Sequence, residues 1–346
     1  MTGPESPDTP LEAAAGTAGP RAVEAFATLG NEMRLSILLA LWEAYEPFGG
    51  GNALTFSELR ERLGRPDSGQ FNYHLDKLEP QFVRKTEAGE RTDGSRGRAD
   101  GRSAGGYELR RAGHQLVRTV IAGVGLEEPD LDRTELDWTC PLCDAPTESA
   151  YEDGWLLRVC TECEGQFGNT DGFPEGTLDA VEPKPAGFVG RSADEVWEAV
   201  GVSLHAEILA ALEGACTTCR GPIERWLDLC EDHTTEGICP TCNRQDALLA
   251  CFRCTVCKQG HGVPSTGLVR LHPAVVSFFH DHGVPLLYEA GSARNRTVGG
   301  LRPSAEITEA VLSMEPPRVR TTIEYAGERL QLTLEENLDV TDVQRG

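Results

Sequence analysis

The cysteines constrain this chain more than any other feature. There are twelve in 346 residues, most of them in C-x2-C pairs separated by short polar stretches. A single C-x2-C turn fills two corners of a tetrahedron, and a second pair returned by a hairpin fills the other two, which is how structural zinc is held. Cys140, Cys143, Cys160 and Cys163 form a first block with sixteen residues between the pairs, enough for two short strands. The second block offers Cys216 with Cys219, Cys230 with His233, Cys239 with Cys242, and then Cys251, Cys254 and Cys257. That is one cysteine more than two tetrahedral sites need. Taken in chain order, the first two pairs make a site of three cysteines and one histidine, and Cys239, Cys242, Cys254 and Cys257 make an all-cysteine site. Cys254 is preferred to Cys251 because Cys257-Lys258-Gln259-Gly260 reads as a knuckle exit and leaves the longer hairpin, so Cys251 is expected in a strand. A RING-type cross-brace, in which alternate pairs share a metal, stays open as the other topology. The expected cofactor is Zn2+, about three structural ions in closed shells.

Cysteine used in this way suits a reducing cytoplasm rather than a disulfide framework. The N-terminal stretch lacks a basic start and an apolar signal core, and no run of about 18 uncharged apolar residues exists, so neither secretion nor a membrane partner is expected. Aspartate and glutamate outnumber lysine and arginine by 55 to 32, and the lysines are Lys77, Lys85, Lys184 and Lys258 alone. An acidic, lysine-poor chain of this kind reads as adapted to molar salt, where hydrated carboxylates keep it soluble.

The expected fold class is α+β. Residues 1–20 are a Pro-, Gly-, Ala- and Thr-rich tail expected to be disordered. Residues 21–125 carry helical spacing broken by caps: Asn31 ahead of Leu35, Ile37, Leu38 and Leu41; a T-x-x-E capping box at Thr55 and Glu58; and Asp67 or Ser68 ahead of Phe71, Leu75 and Leu78. Two short strands around a polar loop then make a wing, and a helix from about Arg111 to Ala122 closes the module. Residues 126–137 read as a linker, 138–168 as a zinc ribbon, 169–191 as a second linker, and 192–263 as a helix followed by two zinc-knuckle sites. Residues 264–346 read as a short helix and a C-terminal β-hairpin turning at Ala326 and Gly327.

In a winged helix-turn-helix the second helix of the motif lies in the major groove, with an apolar stripe holding its angle. Ser68, Gln70, Asn72, Tyr73, His74 and Lys77 lie off the Phe71, Leu75, Leu78 stripe, and glutamine or asparagine pairs with an adenine edge through two hydrogen bonds. Between Arg84 and Arg111 there are eight basic residues against five acidic ones, a local positive island in a chain of net charge -23. Arg96, Arg98 and Arg102 fall in its Gly-rich loop, where a wing meets phosphates or the minor groove. The expected partner is double-stranded DNA.

The segments LGNEMRLSILLAL, TFSELRERLG and SGQFNYHLDKL resemble the ArsR-like winged-helix transcriptional regulators, especially those of haloarchaea, over roughly residues 21–125. The resemblance implies promoter binding, commonly as a dimer. Metal-sensing members often place cysteines in the helix before the recognition helix, and residues 55–79 contain none, so sensing there is not expected. The region after Trp138 resembles a zinc-ribbon-bearing region attached to such domains. It is expected to dock the transcription machinery or a second copy, or to sense a signal. A basal factor that binds the machinery without choosing promoters is the alternative.

Catalysis is not expected. His205-Ala206-Glu207 ahead of a C-x2-C pair has the look of a zinc deaminase motif, but only eight residues separate Glu207 from Cys216 and no proline precedes that cysteine. Neither a Walker loop nor a G-x-S-x-G elbow is present.

Overall fold

Among the described residues of the N-terminal part, three helices begin where the sequence supplies a side-chain cap. Asn31 Oδ1 accepts from the Arg34 N–H to open α1, Glu32–Glu43. Thr55 and Glu58 close a reciprocal capping box on α2, Phe56–Arg62. Asp67 Oδ1 takes the N–H groups of Gly69 and Gln70 at 3.0 Å to open α3, Ser68–Leu78. Each cap satisfies donors that the first helical turn leaves without partners.

The computed structural model describes residues 28–46, 53–91, 102–122, 132–152, 154–167, 173–182, 184–234, 237–286, 296–297, 300–301 and 305–346. They fall in two compact units, 1–127 and 128–346, each described by itself. Among the described residues no helix is long and apolar enough to cross a membrane.

In the first unit α3 leads into an antiparallel pair, β1 (Val83–Arg91) with β2 (Arg102–Leu109), and α4 (Arg111–Ile121) follows. One apolar cluster joins these elements: Ile37, Leu38 and Leu41 of α1, Leu59 of α2, Phe71, Leu75 and Leu78 of α3, Val83 and Leu109 of the ribbon, and Val117 of α4. Residue Leu54 bridges to Tyr107 of β2. The close approach there explains Gly106, whose φ is +150 and where a Cβ would collide with the Leu54 carbonyl. Arg110 Nε donates to the carbonyls of Val83 at 2.8 Å and Glu79 at 3.1 Å, fastening the base of the ribbon to the end of α3.

Among the described residues the second unit holds three antiparallel sheets and a short two-stranded pair. The first sheet runs β3 (Thr134–Thr139), β4 (Pro146–Glu152), β5 (Trp155–Cys160), β6 (Thr177–Val181) in sequential order. A 20-residue helix α5, Ala193–Leu212, follows, opened by a Ser192–Glu195 capping box. Its N-terminal half packs Val196 and Trp197 against Leu136, Trp138 and Leu156 of the first sheet. Its C-terminal half packs Ile208 and Ala211 against Leu227, Leu248 and Phe252 of the second sheet, made of β7 (Ile223–Leu229), β8 (Leu248–Cys254) and β9 (Gly260–Pro264). Helix α5 therefore spans two ribbons. After α6 (Ser265–Val269) and α7 (Pro273–Asp281) come the short strands β10 (Arg296–Thr297) and β11 (Gly300–Leu301). The third sheet is β12 (Glu306–Met314), β13 (Pro317–Tyr325), β14 (Glu328–Glu335) and β15 (Val340–Arg345).

The structure departs from the sequence expectation at the C-terminal hairpin and at the two linkers. The C-terminal hairpin is the centre of a four-stranded meander: β13 and β14 pair as expected around Ala326 and Gly327, but β12 and β15 flank them. Those two strands lie at the sheet edges and are largely exposed, so they need no apolar alternation and show little. The stretch read as a linker at 169–191 carries β6, and the one at 126–137 carries the start of β3, so the first ribbon is a sheet spanning 134–181. The expected tail at 1–20 lies outside the described residues.

Candidate metal centres

Four turns in the second unit share one geometry. At Cys140, Cys216, Cys239 and Cys254 the cysteine N–H donates to the carbonyl five residues on (Ala145, Gly221, Arg244 and Gln259), at 2.8–3.1 Å. The cysteine carbonyl in turn accepts from the N–H four residues on (Asp144, Arg220, Asn243 and Lys258). That fourth residue sits just after the second ligand of its pair, and in each case it is left-handed, with φ between 56 and 66. None of the four is β-branched, as that conformation requires. The tight turn aims N–H groups at sulfur: Leu142 to Cys140 at 3.4 Å, Gly221 to Cys219 at 3.3 Å, Val256 to Cys254 at 3.4 Å.

Together with Cys160, Cys163, Cys230 and His233, these turns gather twelve side chains into three groups of four among the described residues, with all ligand atoms of a group within 4.8 Å of one another. The first is Cys140, Cys143, Cys160 and Cys163, with sulfurs 3.6 Å apart between Cys140 and Cys163 and 3.5 Å between Cys143 and Cys160. A tetrahedron with metal–sulfur bonds of about 2.3 Å has edges of about 3.8 Å, so the cage is close to the right size. Gly176 holds its far side, since its N–H donates to Glu164 and its carbonyl accepts from Cys160. A Cβ there would collide with the Cys160 carbonyl, and φ is +89.

The second group is Cys216, Cys219, Cys254 and Cys257, and the third is Cys230, His233, Cys239 and Cys242. Neither the sequential nor the cross-braced order holds: the pairs are nested, first with fourth and second with third. The cause is strand register. β7 and β8 are antiparallel with Ile223 opposite Cys254 and Leu229 opposite Leu248, so the knuckle entering β7 lies beside the one leaving β8. The two middle pairs are carried to the other end of the ribbon, within the β7–β8 connection. All twelve side chains read from the sequence as ligands fall into these three groups. Cys251 lies within β8, outside all of them, its Sγ 3.9 Å from the Leu249 carbonyl.

His233 is oriented by what its other nitrogen meets. Nε2 lies 3.0 Å from the Gln245 carbonyl, to which it donates, leaving Nδ1 as the ligand atom 3.4 Å from Cys242 Sγ. Gln245 in turn ties this centre to the first: its N–H donates to the Gln166 carbonyl at 2.9 Å and its side chain to the Gly165 carbonyl at 2.8 Å, three and two residues past Cys163. That link was not legible in the sequence, where Gln166 and Gln245 sit 79 positions apart, each three residues past the second cysteine of its own knuckle, with nothing to say that the two knuckles meet.

Without an ion the thiols of a group do not ionise alike. At Cys239 the Thr234 N–H, with those of Cys242 and Thr241, brings the thiol down to about 5 against burial. At Cys254 burial works upward, but the N–H groups of Cys257 and Val256 outweigh it and bring the thiol to about 6. Burial and the neighbouring thiols push Cys257 up to about 12 and Cys230 up to about 11. In each of these two cages one thiolate thus forms readily while another resists, and a bound cation removes that resistance by screening their mutual repulsion.

In the first unit, Ser68, Gln70, Asn72, Tyr73 and Lys77 lie on the exposed face of α3, Tyr73 being 57% exposed, opposite Phe71, Leu75 and Leu78 at 0%. Asn72 Nδ2 donates to Asp76 Oδ2 at 3.0 Å, and Lys77 Nζ stands 5.7 Å from the Tyr73 ring centre. His74 is half-buried, with Nδ1 enclosed, so it belongs to the helix's inner flank as much as to its outer face. Arg96 and Arg98 lie outside the described residues; Arg102 begins β2, and only its backbone is described.

The family model described as Domain of unknown function (DUF7351) matches residues 137–340, and that described as Domain of unknown function (DUF7347) matches residues 22–120. No curated protein and no solved structure matches the chain.

Proposed function

The chain belongs to the DUF7351 family, matched over more than half its length, and we propose that it is a DNA-binding transcriptional regulator. Its first unit acts as an ArsR-like winged helix-turn-helix, and its second unit is built on three structural zinc ions. The observation that carries the DNA reading is α3, which buries Phe71, Leu75 and Leu78 and turns Gln70, Asn72 and Tyr73 outward directly before an antiparallel ribbon. A recognition helix followed by a wing has this order. Arg96, Arg98 and Arg102, between or at the ends of the ribbon strands, supply phosphate or minor-groove contacts, while the rest of an acidic surface is screened at molar salt.

Zinc is the ion of choice for cages of eleven thiolates and one imidazole in all, since soft ligands in tetrahedral array select it over harder cations. Four protein ligands leave no open position at any of the three centres, which suits a structural rather than a catalytic role. The second unit then serves, in the cytoplasm, as a platform that docks the transcription machinery or a second copy, or senses a signal.

The test is protection of one defined DNA sequence by the zinc-loaded full chain against an excess of bulk competitor, repeated from low to molar potassium chloride. The proposal expects a discrete protected site that survives competitor. Equal protection of all sequences would favour the basal-factor alternative, and no protection would end the DNA reading.

A further inference from the structure

The second unit leaves a large opening where α5, α6, α7 and the third sheet meet. It is a cavity of about 1170 Å3, with a floor of Leu268, Leu271, Leu286 and Leu334 and walls that include Leu209 and Val276. The four floor residues are at most 6% exposed. Protein interiors are close-packed, so apolar walls from four elements that stop short of one another make a container rather than a packing fault. Pockets for small molecules run from about 300 to 1000 Å3, mostly apolar with a few placed polar groups.

The polar groups narrow the ligand. Arg225 reaches the cavity but is engaged: Nη1 donates to the Leu212 carbonyl at 2.5 Å and Nη2 to Asp339 Oδ1 at 2.8 Å, while Asp339 Oδ2 accepts from Asn337 at 2.7 Å. That pair closes a wall and offers no net charge. His272, also in the lining, caps α7 by accepting the Ala274 N–H on Nδ1 at 3.2 Å. Burial pushes its pKa below the usual histidine range, so the ring is neutral and its proton sits on Nε2. Nε2–H has no acceptor among the described residues. It is a donor awaiting an oxygen at the edge of an apolar chamber.

We propose that this cavity binds a small, largely apolar molecule carrying one hydrogen-bond-accepting oxygen, which His272 Nε2–H receives. An anionic ligand is disfavoured because Arg225 is already engaged by Asp339 and Glu213 adds a further carboxylate to the lining. A partner's flat surface is disfavoured because the walls are concave. The proposal does not rest on DNA binding, and its test uses none.

The probe is propionyl-dimethylaminonaphthalene, a neutral fused-ring molecule with a single carbonyl oxygen whose emission moves to the blue in an apolar site. Titrated into the metal-loaded full chain, it should saturate at one molecule per chain with blue-shifted emission. Val276→Trp fills the chamber and should abolish the saturable signal with metal content unchanged. Leu209→Trp, at a position 37% exposed, blocks the mouth without disturbing the core and gives the same reading should Val276→Trp fail to fold. His272→Asn keeps a capping acceptor but withdraws the ring donor, and should weaken binding about tenfold, the worth of one hydrogen bond. Absence of saturable binding to the parent, or binding that persists in a folded blocking variant, overturns the proposal.

Discussion

The first unit has no cysteine, and its described residues gather fourteen buried side chains into one apolar cluster. The second carries all twelve cysteines, and its described residues divide their buried apolar side chains among five smaller clusters. Small sheets bury too little apolar surface to hold themselves, and chain of this kind is normally stapled by metal or disulfide. The contrast teaches that the two units answer to different agents: one to packing, the other to the ions that its knuckles collect.

Metal removal should expose that difference most. Structural zinc contributes an apparent stability of roughly 10–16 kcal/mol per site near neutral pH. A strong chelator should therefore unfold 128–346, leaving amides of α3 protected from hydrogen exchange while those of β5 and β8 lose protection. Loss of protection in both units together would break the comparison. Metal analysis of the loaded chain should find about three ions, and fewer than two would sink the three-centre account.

Next in size is the removal of one ligand. Cys257→Ser should lower the metal content by one ion and loosen the β7–β9 ribbon, whereas Cys251→Ser should leave the metal content unchanged. The reverse ranking would put Cys251 in the cage. Packing supplies the counterpart in the first unit: Leu75→Ala, at a fully buried position, should cost about 2–5 kcal/mol in denaturant unfolding of that unit with no change in metal content.

The smallest expected effect is in pH. Glu309 of β12 accepts a hydrogen bond from the Ser265 hydroxyl, and burial, reinforced by Asp246, raises its carboxyl to about 7. A folded-state value above the unfolded one stabilises the fold at acid pH, and that contribution fades as pH rises through about 7. Glu309→Gln should therefore gain stability relative to the parent between pH 5 and pH 8, on the order of 1–3 kcal/mol. A constant difference across that range would mean that Glu309 does not titrate there.

The ligands were legible because knuckle chemistry is local: two cysteines, a turn and a left-handed residue lie within six positions. Their partners were not, because pairing is decided by the register of β7 on β8, which no spacing rule records. Helix starts at Asn31, Thr55, Asp67 and Ser192 could be read for the same local reason. Strands β12 and β15 could not, since an edge strand half in water carries no alternation, and β6 was masked by the prolines and glycines around it. Gln245, the tie between two centres, is set by contacts across the fold.

The central claim is that α3 reads sequence, and the most direct measurement compares Gln70→Ala, Asn72→Ala and Tyr73→Ala with the parent on a preferred site and on a site changed at single base pairs. All three positions are exposed, so the variants should keep their fold and metal content. The account predicts that they lose discrimination between the two sites by about 1–3 kcal/mol per lost contact. Three folded variants that bind and discriminate like the parent would contradict it.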